Sequence, residues 1–361
     1  MNVAIACGGT GGHLFPGLAV AEVLKSRGHE VLLLISEKQI DATAVGNRTE
    51  FRVEKIPAVG LTGAAPTQLF SFLAKFLNGL FVCLRVYRSF RPEAVLGMGG
   101  FTSTGPILAG RVKGLPTFIH ESNAIPGKAN RLNAFLSQEV LLGFEECSRY
   151  FPKKTVEVTG TPIRNSLRDP VDREQALNNL RLKAGLRTVL VMGGSQGAHG
   201  INKAVVAALH RFAGRKVQFI HLTGAQDENY VMECYKRERV PAFVKAFYGR
   251  MEEAYAVADV AIARSGAASL TELCYFGLPS ILIPYPFAAE NHQLFNAEVF
   301  AKYSVAEVLE ESRVNGDTLG SLIDHFLNNG AVPRPSAGTP RVFGPETAAN
   351  RIVEIIEKSR E

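Results

Sequence analysis

A glycine-rich loop with a histidine directly behind it lies near the start of the chain. The segment CGGTGGHLFPG, residues 7–17, follows the short apolar run NVAIA. Glycine lets a ligand approach the backbone closely, and a helix that starts just after the loop offers free N–H groups and a partial positive charge. The loop therefore predicts a site for an anion or a sugar. His13 suits a general base because an ordinary imidazole has a pKa of about 6.5; alternatively, it only holds a ligand oxygen or caps the loop.

Three more glycine loops follow predicted strands, at residues 97–100, 193–197 and 264–269. One such loop could be a tight turn, but four at strand ends favour binding, because ligands of open parallel sheets lie beyond the carboxyl ends of the strands. The dinucleotide fingerprint G-x-G-x-x-G fails, since Leu14 stands where its third glycine should be, and no P-loop occurs. Glu37, at the end of the second predicted strand, keeps a nicotinamide-dependent enzyme as an alternative.

Unbroken apolar runs alternate with helical patterns, and this rhythm restarts after about residue 165. The predicted strands are NVAIAC, EVLLLI, AVLGMGG, PTFIH and EVLLG, then RTVLVMGG, KVQFIHLTG, VKAFYG, DVAIAR and PSILIP. Such a pattern predicts two doubly wound α/β domains with parallel sheets, joined near residues 160–170, where proline and glycine interrupt it. A last helix, ETAANRIVEIIEKSRE, could pack on either domain.

The net charge indicates the class of partner, and the cysteines and the N-terminal segment indicate the compartment. The net charge of +6 and the pI near 9.0 indicate an anionic partner, and the absence of a Lys/Arg block favours a membrane surface or a phosphorylated substrate over nucleic acid. Five scattered cysteines without a C-x-x-C pair predict a reducing compartment, without disulfides or structural zinc. The first strand begins at once, with no signal sequence before it, which predicts a cytoplasmic protein.

Six motifs occur in one order: GGTGGHLFPGLAVA, GMGGFTSTGP, HESNAIPGKANR, GTPIR, GGSQGAHGIN, and RSGAASLTELCYFGLPSILIPYP with ENHQLFNA. Over roughly residues 3–300 they closely resemble the MurG family of bacterial cell-wall glycosyltransferases. The resemblance implies the GT-B fold, with two Rossmann-like domains facing across a cleft. It implies an acceptor- and membrane-associated domain at residues 1–163, with helix 345–361 packing back on it, and a UDP-GlcNAc-binding domain at 164–344. Thr161 departs from the Asn of many members.

The resemblance implies an inverting, metal-independent transfer of GlcNAc from UDP-GlcNAc to the C4 hydroxyl of MurNAc in lipid I, which gives lipid II for peptidoglycan. No cofactor is expected. The implied partners are both substrates, an anionic membrane surface and other cell-wall synthesis and division proteins. The implied location is peripheral, at the cytoplasmic face of the plasma membrane. Alternatives are another GT-B UDP-sugar transferase with a different lipid acceptor, or a non-enzymatic nucleotide-sugar sensor, which would lack the His13 side.

The resemblance also implies roles for individual residues. His13 and Glu121 are the catalytic candidates, with Glu121 either a rival base or the partner that orients His13. No D-x-D pair is present, so Arg164, Ser195 and the backbone N–H groups of the second-half loops would meet the growing charge of the leaving diphosphate. The other implied UDP-GlcNAc contacts are Thr10, Gly11, Gly12, Asn123, Tyr248, Ala267, Ala268, Ser269, Leu270, Thr271, Glu272 and Gln293.

Two of these contacts have structural alternatives. Glu272 would accept hydrogen bonds from the ribose hydroxyls, because a carboxylate offers two acceptor oxygens. It could instead be a first-turn glutamate that stabilises the helix dipole. Gln293 would contact the GlcNAc sugar, or else be an exposed helix residue. His120, His199 and His292 lack a metal-ligand spacing and are interpreted as structural.

The segment from residue 67 to 91 is unusually apolar, with basic residues at Lys75, Arg85, Arg88 and Arg91. It approaches the roughly 20 residues that span a bilayer. Lys75, Asn78 and Arg85 argue against insertion, since a charge at the bilayer centre costs about 2.5–3.5 kcal/mol. The segment is either a helix buried on one side of the first domain or a helix whose outer face touches an anionic membrane.

Overall fold

The computed structural model describes residues 1–38, 46, 49–57, 66–194, 197–328 and 345–360. The chain forms two compact units, Met1–Arg164 with Val342–Glu361, and Asn165–Arg341. Each unit is built on one parallel sheet with helices between successive strands, as the alternation of apolar runs and helical patterns predicts.

The first unit contains a seven-stranded sheet in the order β3-β2-β1-β4-β5-β6-β7. Its strands are β1 Asn2–Ala6, β2 Glu30–Ser36, β3 Arg52–Ile56, β4 Ala94–Gly97, β5 Thr117–Glu121, β6 Glu139–Leu142 and β7 Thr155–Val158. Its first four described helices are α1 Gly11–Ser26, α2 Pro66–Phe90, α3 Thr104–Val112 and α4 Lys128–Leu136.

The second unit contains a six-stranded sheet in the order β10-β9-β8-β11-β12-β13. Its strands are β8 Arg187–Met192, β9 Val217–Leu222, β10 Ala242–Lys245, β11 Val260–Ala263, β12 Ser280–Leu282 and β13 Ala306–Val308. Its helices are α5 Arg173–Asn179, α6 His199–Ala208, α7 Glu228–Glu238, α8 Met251–Val257, α9 Ala267–Tyr275, α10 His292–Tyr303 and α11 Gly316–Asn328.

Both faces of the first sheet are buried, which explains its unbroken apolar strands. Along β1, Val3 and Ile5 pack into one core cluster, and Ala4 and Ala6 pack into another on the opposite face. Side chains alternate between faces along a strand, so a strand covered on both faces needs apolar residues at every position.

The C-terminal helix α12, Pro345–Lys358, packs on α1 of the first unit. Its Ile352 and Ile356 are fully buried in the same cluster as Leu14. At its end, Glu357 accepts a hydrogen bond from Arg27 Nη1 at 2.8 Å and contacts His29 Nε2 at 2.7 Å. Apolar burial and this charged contact together hold the helix on the first unit.

Three edge strands escape the sequence pattern, and a fourth strand is displaced. β3, β7 and β13 each lie at the edge of a sheet, and β3 (RVEKI) shows why they were missed. An edge strand is partly exposed to solvent, so it is short and mixes polar with apolar residues instead of forming an apolar run. The predicted strand VKAFYG was also wrong in its position, because β10 already ends at Lys245.

Candidate active site

The first glycine loop ends where α1 begins, and the fold places His13 in the first turn of that helix. The N–H groups of His13 and Leu14 both donate to the carbonyl of Thr10, at 3.1 and 3.0 Å. Thr10 Oγ1 lies 3.2 Å from His13 Nδ1. Thr10 thus contacts one ring nitrogen of the histidine, while Gly11 and Gly12 open the helix.

The loop after β4 forms the other wall around His13. A Cβ atom at Gly99 would lie 2.9 Å from His13 Nε2, and one at Gly100 would lie 3.3 Å from Nδ1. Both glycines have positive φ angles, 110° and 70°, which other residues rarely adopt. These two glycines are required so that the loop can pass directly against the imidazole.

Glu121, at the end of β5, is buried with 3% of its surface exposed, and both of its oxygens are engaged. Oε1 accepts hydrogen bonds from the backbone N–H and the side-chain amide of Asn123, at 3.0 and 2.9 Å. Oε2 accepts from the N–H of Gly127 and from Asn130 Nδ2, both at 3.0 Å. Four donors on one carboxylate fix the loop between β5 and α4.

Asn130 is a further residue of this site, one that the sequence motifs did not single out. It is 2% exposed, and its amide also donates to the carbonyl of His120 at 3.0 Å. Its Nδ2 lies 3.3 Å from where a Cβ of Gly99 would be, beside His13. Asn130 therefore lies between the Glu121 loop and the histidine. Its only signal was its position inside the HESNAIPGKANR motif.

Two more residues of the first unit, His120 and Arg164, lie near these loops. His120 is fully buried and its Nε2 lies 2.9 Å from the carbonyl of Gly160; burial lowers its pKa. Arg164, the last residue of this unit, places its guanidinium 4.5 Å from the ring centroid of Phe15 on α1. The fold thus brings Arg164 to the helix that carries the first glycine loop.

In the second unit, the loop after β8 leads into α6. Ser195, expected at the diphosphate, lies outside the described residues. The flanking Gly197 has a φ of 78°, and a Cβ there would lie only 2.1 Å from the carbonyl oxygen of Thr223. Any larger residue at 197 would clash with the backbone after β9, so this close approach requires glycine.

A buried polar chain supports the same loop. Asn202 donates to the carbonyl of Thr223 at 2.9 Å and to Asp227 at 2.7 Å, and its Oδ1 lies 3.0 Å from His221 Nε2. Burial lowers the pKa of His221 to about 3, so this ring is neutral. Asp227 also contacts His199 Nδ1 at 2.9 Å. His199 therefore belongs to the support of the loop, in agreement with its structural interpretation.

The N-terminus of α9 follows the loop after β11. Gly266 precedes the helix, and within the described residues no side chain caps it and no acidic residue stands in its first turn. The N–H groups of Ala267, Ala268 and Ser269 therefore have no partner inside the helix. The side chains of Leu270 and Thr271 are buried, and Thr271 Oγ1 donates to the carbonyl of Ala267. Neither side chain is therefore accessible to a ligand.

Glu272 lies one turn further along α9. It is the sixth residue of the helix, so the alternative of a first-turn glutamate is wrong. The residue is 9% exposed, and its Oε2 accepts a hydrogen bond from the Tyr255 hydroxyl at 2.7 Å. Tyr255 is 2% exposed and stacks on Phe276. The tyrosine fixes the carboxylate, and no feature of the sequence pointed to it.

Gln293 is half-buried near the start of α10, so it is not the exposed helix residue that was the alternative. Its Oε1 accepts a hydrogen bond from the N–H of Tyr285 at 3.0 Å. Its backbone carbonyl accepts another from Ser265 Oγ at 2.7 Å. Gln293 thereby ties the loop after β12 to the loop after β11.

Tyr248 lies in the loop after β10. Its hydroxyl donates to Glu253 on α8, and its ring packs edge-on against Phe243. Burial and the hydrogen bond to Glu253 both raise the pKa of Tyr248. The side chain is therefore held within its own unit. No group of three His, Cys, Asp or Glu side chains that could hold a metal occurs in the part of the chain described.

The sequence matches the glycosyltransferase family 28 N-terminal domain over residues 3–142 and its C-terminal domain over residues 188–352. It is 37% identical over 367 residues to a Halothermothrix orenii protein, covering 99% of this chain and 98% of that one. A Thermodesulfovibrio yellowstonii protein is 36% identical, with coverage of 99% and 98%. Both carry the name UDP-N-acetylglucosamine--N-acetylmuramyl-(pentapeptide) pyrophosphoryl-undecaprenol N-acetylglucosamine transferase.

Among solved structures, Acinetobacter baumannii MurG superposes with a TM-score of 0.74 at 26% identity, covering 99% of each chain. A glycosyltransferase of kitacinnamycin has the same TM-score at 16% identity, which shows the fold alone. Two parallel-sheet units that match these structures confirm the GT-B fold class. The chain therefore belongs to glycosyltransferase family 28 and, within it, to the MurG family of N-acetylglucosamine transferases.

Proposed function

We propose that this enzyme transfers GlcNAc from UDP-GlcNAc to lipid I, undecaprenyl-diphospho-MurNAc-pentapeptide, and so produces lipid II. One arrangement carries the proposal: α9 begins with an uncapped N-terminus, and Glu272 lies one turn behind it, fixed by Tyr255. An anion-binding helix end followed by an oriented carboxylate suits the diphosphate and the ribose of one nucleotide. The names of the full-length relatives support the same donor and acceptor.

The leaving group in this reaction is UDP, whose negative charge grows as the glycosidic bond breaks. The N–H groups of Ala267, Ala268 and Ser269 would meet that charge, together with Arg164 and Ser195. A well-placed donor at a developing oxyanion contributes about 3–4 kcal/mol, and a partly buried helix end adds up to about 2 kcal/mol. Several such groups supply the stabilisation that a magnesium ion gives in other transferases, so we propose a metal-independent reaction.

Other residues of the predicted site would hold the rest of the donor. Glu272 accepts hydrogen bonds from the ribose hydroxyls, and the backbone near Tyr248 binds uracil. Asn123 and Gln293 contact the GlcNAc sugar. The amide of Asn123 is oriented by Glu121, and Gln293 is fixed between two loops, so neither side chain has to be ordered when the sugar arrives.

For the chemical step, we assign proton removal to His13. The C4 hydroxyl of MurNAc gives its proton to the imidazole as its oxygen attacks C1 of GlcNAc, and the bond from C1 to the UDP oxygen breaks on the opposite face. The anomeric configuration is therefore inverted. General base catalysis of this kind contributes roughly 10²–10⁴-fold. Glu121 acts as a positioning residue, since both its oxygens already accept two hydrogen bonds.

The outer face of α2 supports a peripheral membrane location. Phe70, Leu73, Leu77 and Phe81 are 75, 50, 42 and 66% exposed, while Cys83 on the inner face is fully buried. Spacings of three and four residues place the four exposed side chains on one stripe of the helix. None of the helices in the described ranges has the length and apolar character needed to cross a bilayer.

Basic residues accompany this stripe. Lys75, Arg85 and Arg88 are exposed on the same helix, and each would gain about 1 kcal/mol near an anionic membrane surface. Phe135 on α4 is 79% exposed, and α4 packs against α3, which packs against α2. The proposed orientation holds this side of the first unit on the cytoplasmic face of the membrane, where the lipid acceptor lies. Cell-wall synthesis and division proteins are further proposed partners.

Thermal unfolding with EDTA present tests the donor assignment against UDP-GlcNAc, UDP-GalNAc, UDP-glucose and NAD. A ligand at 100 times its dissociation constant adds about 2.7 kcal/mol to the free energy of unfolding. We expect the shift with UDP-GlcNAc, followed by GlcNAc transfer to lipid I in the same buffer. A shift with NAD alone, or one that needs magnesium, would contradict the proposal. Transfer to another lipid would favour a GT-B enzyme with a different acceptor.

A further inference from the structure

A groove of about 670 Å³ lies along the free edge of the sheet in the second unit. The edge strand is β10, which pairs with β9 and with no other strand in the described part of the chain. The end of α5 with the two residues after it, and the last part of α7 with Arg239, form the sides of the groove. None of the lining residues belongs to the glycine loops or has a role in the proposed transfer.

The exposed edge of β10 presents backbone groups that can pair with another strand. The carbonyl of Pro241 accepts a hydrogen bond from the N–H of Phe219 on β9, and that of Lys245 accepts one from Thr223 just after β9, so the polar groups of residues 241, 243 and 245 face that strand. In a parallel pair the polar groups of alternate residues face opposite ways. The N–H and C=O groups of Ala242 and Val244 therefore face the groove.

The two helices flank this edge on opposite faces of the sheet. Val244 packs on the core cluster that contains residues of α7. The neighbouring Phe243 packs on Tyr248, whose hydroxyl bonds Glu253, and Asn179 of α5 donates to the same carboxylate. Successive side chains of a strand point to opposite faces, so α7 lies on one side of the edge and α5 on the other.

An arginine follows each of these helices at the groove: Arg181 lies two residues after α5, and Arg239 directly follows α7. Neither guanidinium forms a hydrogen bond or an ion pair with any residue that the structure describes. Lys236 and Lys245 also line the groove and are paired, with Glu233 at 2.7 Å and Glu228 at 4.0 Å. The lining residues include no acid, so the charge that the groove offers is positive.

We propose that this groove binds an extended acidic segment of a partner protein, which adds to β10 as a further strand. Addition of a strand satisfies the outward groups of Ala242 and Val244, as in other cases of peptide binding at a sheet edge. Two adjacent acidic residues of that strand would point to opposite faces, so that one meets Arg181 and the other meets Arg239. A free phosphate would reach an arginine but leave the strand edge unpaired.

The test measures binding of a labelled peptide, acetyl-Thr-Val-Glu-Glu-Val-Thr-amide, to the full chain by fluorescence anisotropy. We expect a dissociation constant of about 1 mM or below at low salt, and at least roughly tenfold weaker binding when both glutamates are glutamine. Two further peptides carry N-methyl groups on alternate residues. Because N–H groups of alternate residues face opposite ways in a strand, one of these two should lose binding and the other should keep it.

The variant is R181G/R239G. Both arginines have φ angles near 54°, which glycine adopts without strain, so the double variant should fold normally. It should bind the peptide at least about tenfold more weakly. R91G is the matched control, because Arg91 has the same φ at the end of α2 in the other unit. Hydrogen exchange at the amides of Ala242 and Val244 should slow when the peptide is added to the unmodified protein.

Several results would overturn the proposal. Equal binding of both N-methylated peptides would show attraction by charge without strand addition. An equal loss in R91G would show a general charge effect. Absence of binding at several millimolar peptide would show that acidic segments do not occupy this edge. So would sedimentation of the chain as a dimer that the R181G/R239G substitutions dissociate.

Discussion

The imidazole of His13 lies directly against the backbone of Gly99: a Cβ atom at Gly99 would be 2.9 Å from Nε2 of His13. Gly99 has a φ of 110°, and the amide of Asn130 would lie 3.3 Å from the same Cβ position. The proposed base is therefore held in place by a loop that has no side chain at the point of contact.

This contact predicts that Gly99→Ala displaces the imidazole. A displacement of about 1 Å at a reacting group can cost roughly 10²-fold, so turnover should fall on that order while UDP-GlcNAc binding stays near normal. The left-handed backbone adds a stability loss of about 1–2 kcal/mol. Gly114→Ala is the matched control, because Gly114 has a φ of 71° and no neighbour within 4 Å of its Cβ position. Equal turnover in the two variants would contradict the contact.

His13→Ala removes the proposed base itself. Turnover should fall by about a hundredfold or more, while calorimetric titration should find UDP-GlcNAc binding near normal. His210→Ala is the control, because His210 is exposed and its Nδ1 lies 2.9 Å from a backbone carbonyl three residues earlier. A loss below about fivefold in His13→Ala would remove this residue as the base, given the usual contribution of such a group.

Glu121→Gln separates a base from a positioning residue. In this variant the new amide N–H₂ group faces two N–H donors of the loop, which lose their acceptor. Each buried group left unpaired costs about 1–3 kcal/mol. We expect a lower free energy of unfolding and a lower kcat, with the pH dependence of kcat/KM unchanged in shape. The acidic limb of that profile should disappear in His13→Ala instead. Loss of the limb in Glu121→Gln would identify Glu121 as the base.

The sequence could predict the central strands and the glycine loops because both have local signatures. A strand buried on both faces, such as VLLLI of β2, is apolar at every position, and the loops that follow such strands lie at one end of the sheet. The edge strands could not be predicted. In β3 the exposed Arg52 and Lys55 interrupt the apolar pattern, and pairing with β2 is what makes the segment a strand.

The residues of the candidate site could be proposed from sequence motifs, but the contacts that hold them could not. Glu121 and Glu272 were expected from their motifs, but what holds them depends on distant parts of the chain. Asn130 reaches Glu121 only because the loop between them folds back, and Tyr255 reaches Glu272 across 17 residues from a different helix. Such contacts have no periodicity in the sequence, so tertiary structure was needed to find them.

Tyr255→Phe removes the hydroxyl that fixes Glu272. If this carboxylate binds the ribose, the variant should bind UDP several-fold more weakly, since a hydrogen bond to a charged group contributes about 1.5–3 kcal/mol. Glu272→Gln should weaken UDP more strongly. The loss of affinity caused by Glu272→Gln should be smaller for 2′-deoxy-UDP than for UDP, because one of the paired hydroxyls is then absent. An identical loss with both nucleotides would place Glu272 away from the ribose.

The α2 stripe predicts how the chain binds vesicles. Leu77→Ser with Phe81→Ser should reduce flotation with anionic vesicles by at least about tenfold, because each fully buried apolar side chain is worth roughly 1.5–3 kcal/mol. Phe287→Ser, in the second unit, is the control, since Phe287 is 82% exposed. Arg85→Gln with Arg88→Gln should instead reduce the preference for anionic over neutral vesicles, and added salt should do the same. Equal binding of the unmodified protein to both vesicle types would exclude the electrostatic contribution, and an equal loss in Phe287→Ser would exclude the stripe as the contact.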